Sequence, residues 1–153
     1  MQLYLVRHGE AYSQEENPER PLNDYGKQEV AKIGQFLKKT DIPIDYIYHS
    51  DKRRAKETAQ ILSQHLSMVH NVDHLSCLDP EENIEKLTNT IAYLKDNTLL
   101  VGHLPNLELL CSFLLTQTYQ KPIILLHTAA VACLKFEDPN WILKWLINPS
   151  LLT

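Results

Sequence analysis

Apolar residues follow two alternating patterns along the chain: short continuous runs, and longer segments with helical spacing. The runs have strand length and fall at residues 3–6, 44–49, 98–101, 123–126, 130–136 and 141–147, the last of which is also long enough for a helix. Apolar residues three and four positions apart define the segments 23–39, 51–66, 83–94 and 106–115. Strands that alternate with helices indicate crossover connections, and therefore a largely parallel sheet covered by helices on both faces.

Polar residues mark the starts of two predicted helices and one long loop. Asn23 and Ser50 are suited to the N-cap positions of the first and second helices. Residues 10–22 form a polar loop with two prolines, whereas residues 72–82 have no clear pattern. No repeat or linker interrupts the chain, so we expect one domain over residues 1–153.

Composition and charge narrow the classes of function. The 153 residues include 15 Lys and Arg against 19 Asp and Glu, and a net charge of −4 disfavours binding of nucleic acid through the overall field. The three cysteines are odd in number and far apart, which favours a reducing compartment over a disulfide framework. The N-terminus lacks a signal-peptide pattern, and no apolar run approaches the roughly 18 residues of a membrane span. We therefore expect a cytoplasmic protein that binds neither nucleic acid nor membrane.

The candidate catalytic and anion-binding residues lie at the ends of predicted strands. In parallel α/β sheets, ligands bind outside the carboxyl ends of the strands. Three of these ends are rich in histidine and arginine: Arg7-His8-Gly9, His49-Ser50 and Gly102-His103. The helix after the second end begins with three basic residues, Lys52, Arg53 and Arg54. Because a helix N-terminus also has free N–H groups and a partial positive charge, this edge of the sheet is suited to a phosphoryl group.

His8 has the surroundings of a nucleophile. Neighbouring positive charge disfavours the imidazolium form, so we expect the pKa of His8 to fall and its ring to be neutral near pH 7. A neutral imidazole is nucleophilic, and the same arginines can bind an anionic substrate. Gly9 is expected to let the backbone turn sharply and come close to the bound group.

Three segments, in this order, resemble the signatures of the histidine phosphatase superfamily, also called phosphoglycerate mutase-like: LYLVRHGEA, SDKRRAKETA and VGHLPNLELL. The short length and the RPLNDYGKQ segment resemble most the compact SixA-type phosphohistidine phosphatases of that superfamily. The resemblance covers residues 1 to about 135 and implies a three-layer αβα sandwich with a mostly parallel central sheet. It also implies that His8 takes the phosphoryl group and that three residues bind the phosphate oxygens: Arg7, Arg54 and His103.

The activity implied by the resemblance is hydrolysis of phosphohistidine on a partner, a phosphorylated signalling or phosphocarrier protein, without a metal or cofactor. In-line transfer would give a phosphohistidine enzyme that water then hydrolyses. Larger relatives use a mid-chain carboxyl group as general acid, for which this chain offers only Asp79, Glu81 and Glu82. Imidazole leaves more easily than an alkoxide, so the lack of a clear match favours phosphohistidine. A phosphatase for a small phosphorylated metabolite and a non-catalytic phosphate- or phosphoprotein-binding module stay open as alternatives.

Other polar residues at these positions have simpler interpretations. Gly9, Ser50 and Thr128 are grouped with the substrate-binding residues, Thr128 because it joins two predicted strands beside the site. Lys52 and Arg53 fit a solvated helix face. No metal site is expected, since no cysteine or carboxylate completes a zinc set with the three histidines that are close in sequence, His65, His70 and His74.

Overall fold

The computed structural model describes residues 1–152 and is built around a six-stranded sheet. Its strands are β1 (Gln2–Arg7), β2 (Tyr46–His49), β3 (Val72–His74), β4 (Thr98–Gly102), β5 (Val131–Glu137) and β6 (Asn140–Ile147). Their order across the sheet is β3-β2-β4-β1-β5-β6. The first four strands in this order run parallel, whereas β5 is antiparallel to both β1 and β6. The mostly parallel central sheet that the sequence predicts is therefore confirmed.

Helices cover both faces of the sheet. They are α1 (Asp24–Thr40), α2 (Arg53–His65), α3 (Ile84–Ile91) and α4 (Asn106–Thr116). Successive side chains of a strand point to opposite faces, so β1 contributes to two cores. Leu3 and Leu5 pack with residues of α3 and α4, whereas Tyr4 and Val6 pack with residues of α1 and α2. This arrangement is the predicted three-layer αβα sandwich.

The two predicted helix caps have different outcomes. Asn23 caps α1, because its side chain accepts the N–H three residues further on at 2.7 Å. The cap predicted at Ser50 is wrong: α2 begins at Arg53, and Lys52 in the N-cap position makes no side-chain cap bond. The hydroxyl of Ser50 accepts the N–H of Lys52 at 3.3 Å, ahead of the helix, and lies 2.5 Å from His103 Nε2.

The predicted strand at residues 123–126 is also wrong. The N–H of Ile123 donates to Ser112 Oγ, and the N–H of Leu126 donates to Glu108 Oε2, each at 3.2 Å. Side chains of α4 thus bind the backbone groups that a strand would pair. Ile123 and Leu125 are exposed, so the apolar run does not enter the core as a strand.

The remaining predicted elements differ mainly at their ends. Helix α3 ends at Ile91 rather than at residue 94, and residues 141–147 belong to strand β6 rather than to a helix. The unassigned stretch 72–82 contains β3 and the short 3₁₀ helix Ser76–Leu78. None of the helices within residues 1–152 has the length and apolar character of a membrane span.

The carboxyl ends of three parallel strands meet at one edge of the sheet. Strand β4 lies between β2 and β1. Backbone bonds continue past the strand ends, since the N–H of His8 donates to the carbonyl of Gly102 and the N–H of Ser50 to that of Val101, each at 3.2 Å. The residues that follow β1, β2 and β4 are therefore neighbours in space, and α2 and α4 begin at this edge.

Candidate active site

His8 lies directly after β1 and is 9% exposed. Its Nδ1 is 2.7 Å from the carbonyl oxygen of Gly9, which can only accept, so the ring proton belongs on Nδ1 and Nε2 has a free lone pair. The pKa of His8 falls from 6.5 to about 4, chiefly through burial, with a smaller lowering by Arg54, Arg7 and Arg20 against the opposing Gly9 bond. The neutral ring agrees with the expectation, but burial rather than arginine charge is its main cause.

His103 follows β4 and lies beside His8, with 5.0 Å between the ring centroids. Its Nε2 is 2.5 Å from Ser50 Oγ. Burial chiefly lowers the pKa of His103 to about 3; protonation of His8 would lower it further, as do the charges of Arg54 and Lys52. Two neutral imidazole rings and one hydroxyl therefore form the centre of this edge.

Two guanidinium groups adjoin the histidines. Arg7 Nη1 donates to the carbonyl of Leu126 at 3.0 Å. The Nε atoms of Arg7 and Arg54 are buried and have no hydrogen-bond partner within residues 1–152. Burial lowers the pKa of both guanidinium groups, which stay charged because their ordinary pKa is so high. An unpaired buried donor costs about 1–3 kcal/mol, so two of them beside a neutral histidine suit an anion with several oxygens.

Adjacent arginines at the start of α2 have different surroundings. Arg53 is exposed and forms ion pairs with Glu19 and, at 3.4 Å, with Glu57. Arg54 is half-buried, and its charge contributes to the lowered pKa of His8. Arg54, and not Arg53, is thus the arginine at the histidine cluster.

Gly9 is a packing position between two helices. A Cβ atom there would lie 2.7 Å from Val30 Cγ2, and no glycine of the described chain has a positive φ. Its N–H donates to Thr58 Oγ1 at 3.0 Å, and this hydroxyl donates to the carbonyl of Arg54 at 2.7 Å. Close approach of α1, rather than a sharp turn, therefore requires the glycine.

The turn at residues 127–129 covers the backbone of the first motif. The N–H of Ala129 lies 3.0 Å from the carbonyl of Arg7 and 3.2 Å from that of His8. Thr128 is half-buried in this turn. It borders the site through the position of its backbone, although it does not join two strands.

The loop at residues 10–22 contributes a cation that sequence analysis does not single out. Arg20 has a φ of 49°, and its Nε donates to the carbonyl of Tyr12 at 2.9 Å. Its charge lowers the pKa of His8 and of Arg54. The residue lies within the RPLNDYGKQ segment, but a single arginine in a polar loop has no spacing that assigns it to a site.

Contacts with α1 fix the start of this loop. The N–H of Asn23 donates to the carbonyl of Glu10 at 3.1 Å. Gly26, in the first turn of α1, approaches the same carbonyl so closely that a Cβ atom would overlap it. The loop and the helix are therefore held together at the backbone.

The three candidate general acids have different positions. Asp79 Oδ1 accepts the N–H of Asp51 at 2.7 Å, and its two oxygens lie 3.0 and 3.3 Å from His74 Nε2. Glu82 pairs with Lys86 at 2.6 Å. Glu81 is exposed. Of the three, only Asp79 has a charge that acts on His103, whose pKa it raises against the effect of burial.

The three histidines considered for zinc have separate surroundings. The ring of His65 packs where a Cβ atom of Gly34 would lie, and His74 contacts Asp79. Within residues 1–152, no group of three or more His, Cys, Asp or Glu side chains is placed to hold a metal ion.

Comparison with known proteins connects this geometry to one family. The histidine phosphatase superfamily (branch 1) matches residues 3–79, about half of the chain. The protein histidine phosphatase SixA complexed with tungstate has a similar structure, with a TM-score of 0.87, 22% identity and 98% of both chains covered.

Two further solved structures share the fold. Phosphoglycerate mutase from Bacillus anthracis has a TM-score of 0.73 at 17% identity, over 98% of this chain and 94% of its own. Alpha-ribazole phosphatase from Shigella flexneri has a TM-score of 0.74 at 16% identity, over 97% of both chains. None of the curated proteins compared with the chain matches it. By its match to the first two motifs and its phosphoglycerate mutase-like fold, the chain belongs to the histidine phosphatase superfamily.

Proposed function

We propose that the protein is a phosphatase that hydrolyses phosphohistidine on a partner protein through a phosphohistidine formed on His8. Membership of the superfamily supports phosphoryl chemistry at this site. The fold it shares with the SixA structure is consistent with the substrate class. We expect the partner to be a signalling or phosphocarrier protein with a phosphorylated histidine.

The first step is transfer to Nε2 of His8. The Gly9 carbonyl accepts the Nδ1 proton, so the Nε2 lone pair is free to attack phosphorus. A bond from Nε2 to phosphorus forms while the bond from phosphorus to the partner's imidazole nitrogen breaks, and the departing imidazole takes up a proton from solvent. Water then attacks the phosphoryl group on His8, releasing inorganic phosphate and restoring the neutral ring.

Two arginines would stabilise the phosphoryl group during both steps. The buried Nε–H groups of Arg7 and Arg54 lack partners within the described chain and are suited to bind equatorial phosphate oxygens. His103 and Ser50 form the other side of the cluster and would contact the same group. With these charges the transfer requires no metal ion.

The observation that favours phosphohistidine over a phosphate ester is the position of Asp79. This carboxylate accepts the N–H of Asp51 and lies against His74, which suits an acceptor that holds a loop. An alkoxide leaving group needs a proton from a general acid, whereas imidazole leaves with less assistance. The nearest mid-chain carboxylate, Asp79, already accepts a backbone N–H and is not free to donate a proton. Such a site fits phosphohistidine better than a phosphate ester.

Two exposed aliphatic side chains favour a protein as the substrate. Ile123 and Leu125 are 48% and 65% exposed, although they belong to the segment whose residue Leu126 binds Arg7. Exposed apolar residues beside a site are typical of protein contacts. We propose that they contact the folded domain that presents the phosphohistidine.

Rapid-quench mass spectrometry tests the proposal. The enzyme is mixed with a phosphohistidine-bearing carrier protein, kept out of acid, and analysed for phosphate on His8 and for free phosphate. We expect both in the wild type and neither in His8→Ala, a loss of at least about a thousandfold in turnover. His74→Ala is the matched control at the same edge and should retain both.

Other results would replace the proposal. Binding of the phosphorylated carrier without transfer to His8 would identify a binding module. Turnover of alpha-ribazole phosphate or another small ester, with none of the carrier, would identify a metabolite phosphatase.

A further inference from the structure

A buried carboxylate lies outside the phosphoryl-transfer steps proposed above. Glu108 is the third residue of α4 and only 8% exposed. Burying a carboxylate is costly unless hydrogen bonds or charges compensate. The surroundings of Glu108 therefore indicate what it stabilises.

Glu108 is connected to Arg7 through the backbone of one residue, Leu126. Glu108 Oε2 accepts the N–H of Leu126 at 3.2 Å. The carbonyl of Leu126 accepts from Arg7 Nη1 at 3.0 Å. The negative charge of Glu108 also favours the charged form of Arg7, against the effect of its burial.

The backbone of Leu126 has no ladder of strand bonds to fix it. Residues 122–129 contain neither helix nor strand. Helix α4 anchors this region at two points one turn apart, through Glu108 at Leu126 and through Ser112. Ser112 Oγ donates to the carbonyl of Lys121 at 2.8 Å and accepts the N–H of Ile123 at 3.2 Å. Only the Glu108 anchor is in contact with a residue that binds Arg7.

The contact at Nη1 determines which edge of the guanidinium remains free. In arginine, Nε–H and one N–H of Nη2 point in the same direction and together fit two oxygens of a phosphate. Nη1 of Arg7 is engaged by Leu126, and Nε is buried without a partner in the described residues. The fork formed by Nε and Nη2 is thus the edge available to a phosphoryl group.

We propose that Glu108 is a positioning residue for Arg7: it fixes the backbone of Leu126 at its N–H, and the carbonyl of the same residue holds one arm of the guanidinium and directs the Nε edge at the phosphoryl group. The proposal rests on the phosphoryl-binding site of the proposed function but does not depend on which phosphorylated molecule is the substrate.

The affinity for inorganic phosphate, measured by titration calorimetry, tests the proposal. Glu108→Ala removes the acceptor and should weaken binding about tenfold. Glu108→Gln keeps an acceptor oxygen and should restore affinity to within about threefold. Ser112→Ala is the matched control, because it removes an anchor of the same region from the same helix. It should stay within about twofold of the wild type, although it removes buried hydrogen bonds.

A double-mutant cycle separates positioning from loss of structure. In an Arg7→Lys background, Glu108→Ala should weaken phosphate binding by no more than about twofold, because its effect acts through the fork of Arg7. Equal losses in both backgrounds, or no loss in the wild-type background, would overturn the proposal. If Glu108→Ala does not fold, Glu108→Asp, whose shorter side chain withdraws the acceptor from Leu126, replaces it in the cycle. If the protein binds phosphate but does not hydrolyse phosphohistidine, the proposed function is refuted. The cycle would still test the role of Glu108, because it measures phosphate affinity alone.

Discussion

Two pairs of histidines lie at the same edge of the sheet in opposite electrostatic surroundings. His8 and His103 are buried, 5.0 Å apart between ring centroids, and adjoin two arginines. His49 and His74 are register partners on β2 and β3, with 6.2 Å between their rings, and the carboxylate of Asp79 lies against His74.

The difference shows that the position after a strand does not by itself give a histidine a chemical role. Burial, assisted by nearby cations, keeps the first pair neutral, which suits attack on an anion. The second pair adjoins an acceptor that also binds the N–H of Asp51, in the loop before α2. The first pair is suited to chemistry, and the second to holding the loop that leads to Arg54.

The largest expected effect concerns the arginines beside the first pair. Arg54→Lys should lower kcat/KM for the phosphorylated carrier about 100-fold, because lysine has no planar fork for phosphate oxygens. Arg53→Lys should stay within about twofold, since Arg53 is exposed and paired with glutamates. Steady-state phosphate release measures both. Equal losses in the two variants would mean that the two arginines do not differ as their surroundings indicate.

A smaller effect is expected in the pH dependence of stability. The folded pKa of His8, about 4, lies below the unfolded value near 6.5, so the unfolded chain binds more protons between these pH values. The free energy of unfolding therefore falls as the pH falls through this window. His8 should account for about 1–2 kcal/mol of the loss between pH 7 and pH 5.

Urea unfolding of His8→Gln in phosphate-free buffer measures this contribution. The variant should lose about 1–2 kcal/mol less than the wild type over the same pH interval. An identical pH dependence in both proteins would show that the ring of His8 titrates like an ordinary imidazole. Burial and the neighbouring arginines would then not be what keeps His8 neutral.

The smallest expected effect concerns Asp79, whose carboxylate contacts His74 of the second histidine pair. Asp79→Asn keeps an oxygen to accept the N–H of Asp51 and should change kcat/KM for the phosphorylated carrier by less than about threefold. A general acid contributes about 10²–10⁴-fold, so a loss of that size would assign the proton transfer to Asp79. Glu82→Gln, which removes a carboxylate paired with Lys86, is the matched control.

Local sequence signals were sufficient for the parts of the molecule that depend on local structure. The continuous apolar run before Arg7 predicts β1, and the side chain of Asn23 caps α1 as expected. The motif residues after the strands come together because parallel strands end at one edge. His8 and His103 could thus be placed at one edge from the ends of the predicted strands, whereas the choice of Arg54 among the basic residues came from the family resemblance.

Contacts between distant segments explain what the sequence did not reveal. Residues 123–126 have the composition of a strand, but Ser112 and Glu108 bind their backbone groups from α4. Arg20 reaches the site because its loop folds back against α1. Neither effect has a periodic pattern along the chain.

Gly26 restricts how this sequence can change. Glycine is normally unfavourable in a helix, by roughly 1 kcal/mol relative to alanine, so substitution would stabilise an isolated α1. In the folded chain any Cβ atom at this position overlaps the carbonyl of Glu10. Glu10, the first residue of the loop that contains Arg20, therefore prevents substitution of Gly26. A helix position that contributes no side chain to the phosphoryl-binding site thus excludes every residue with a Cβ atom.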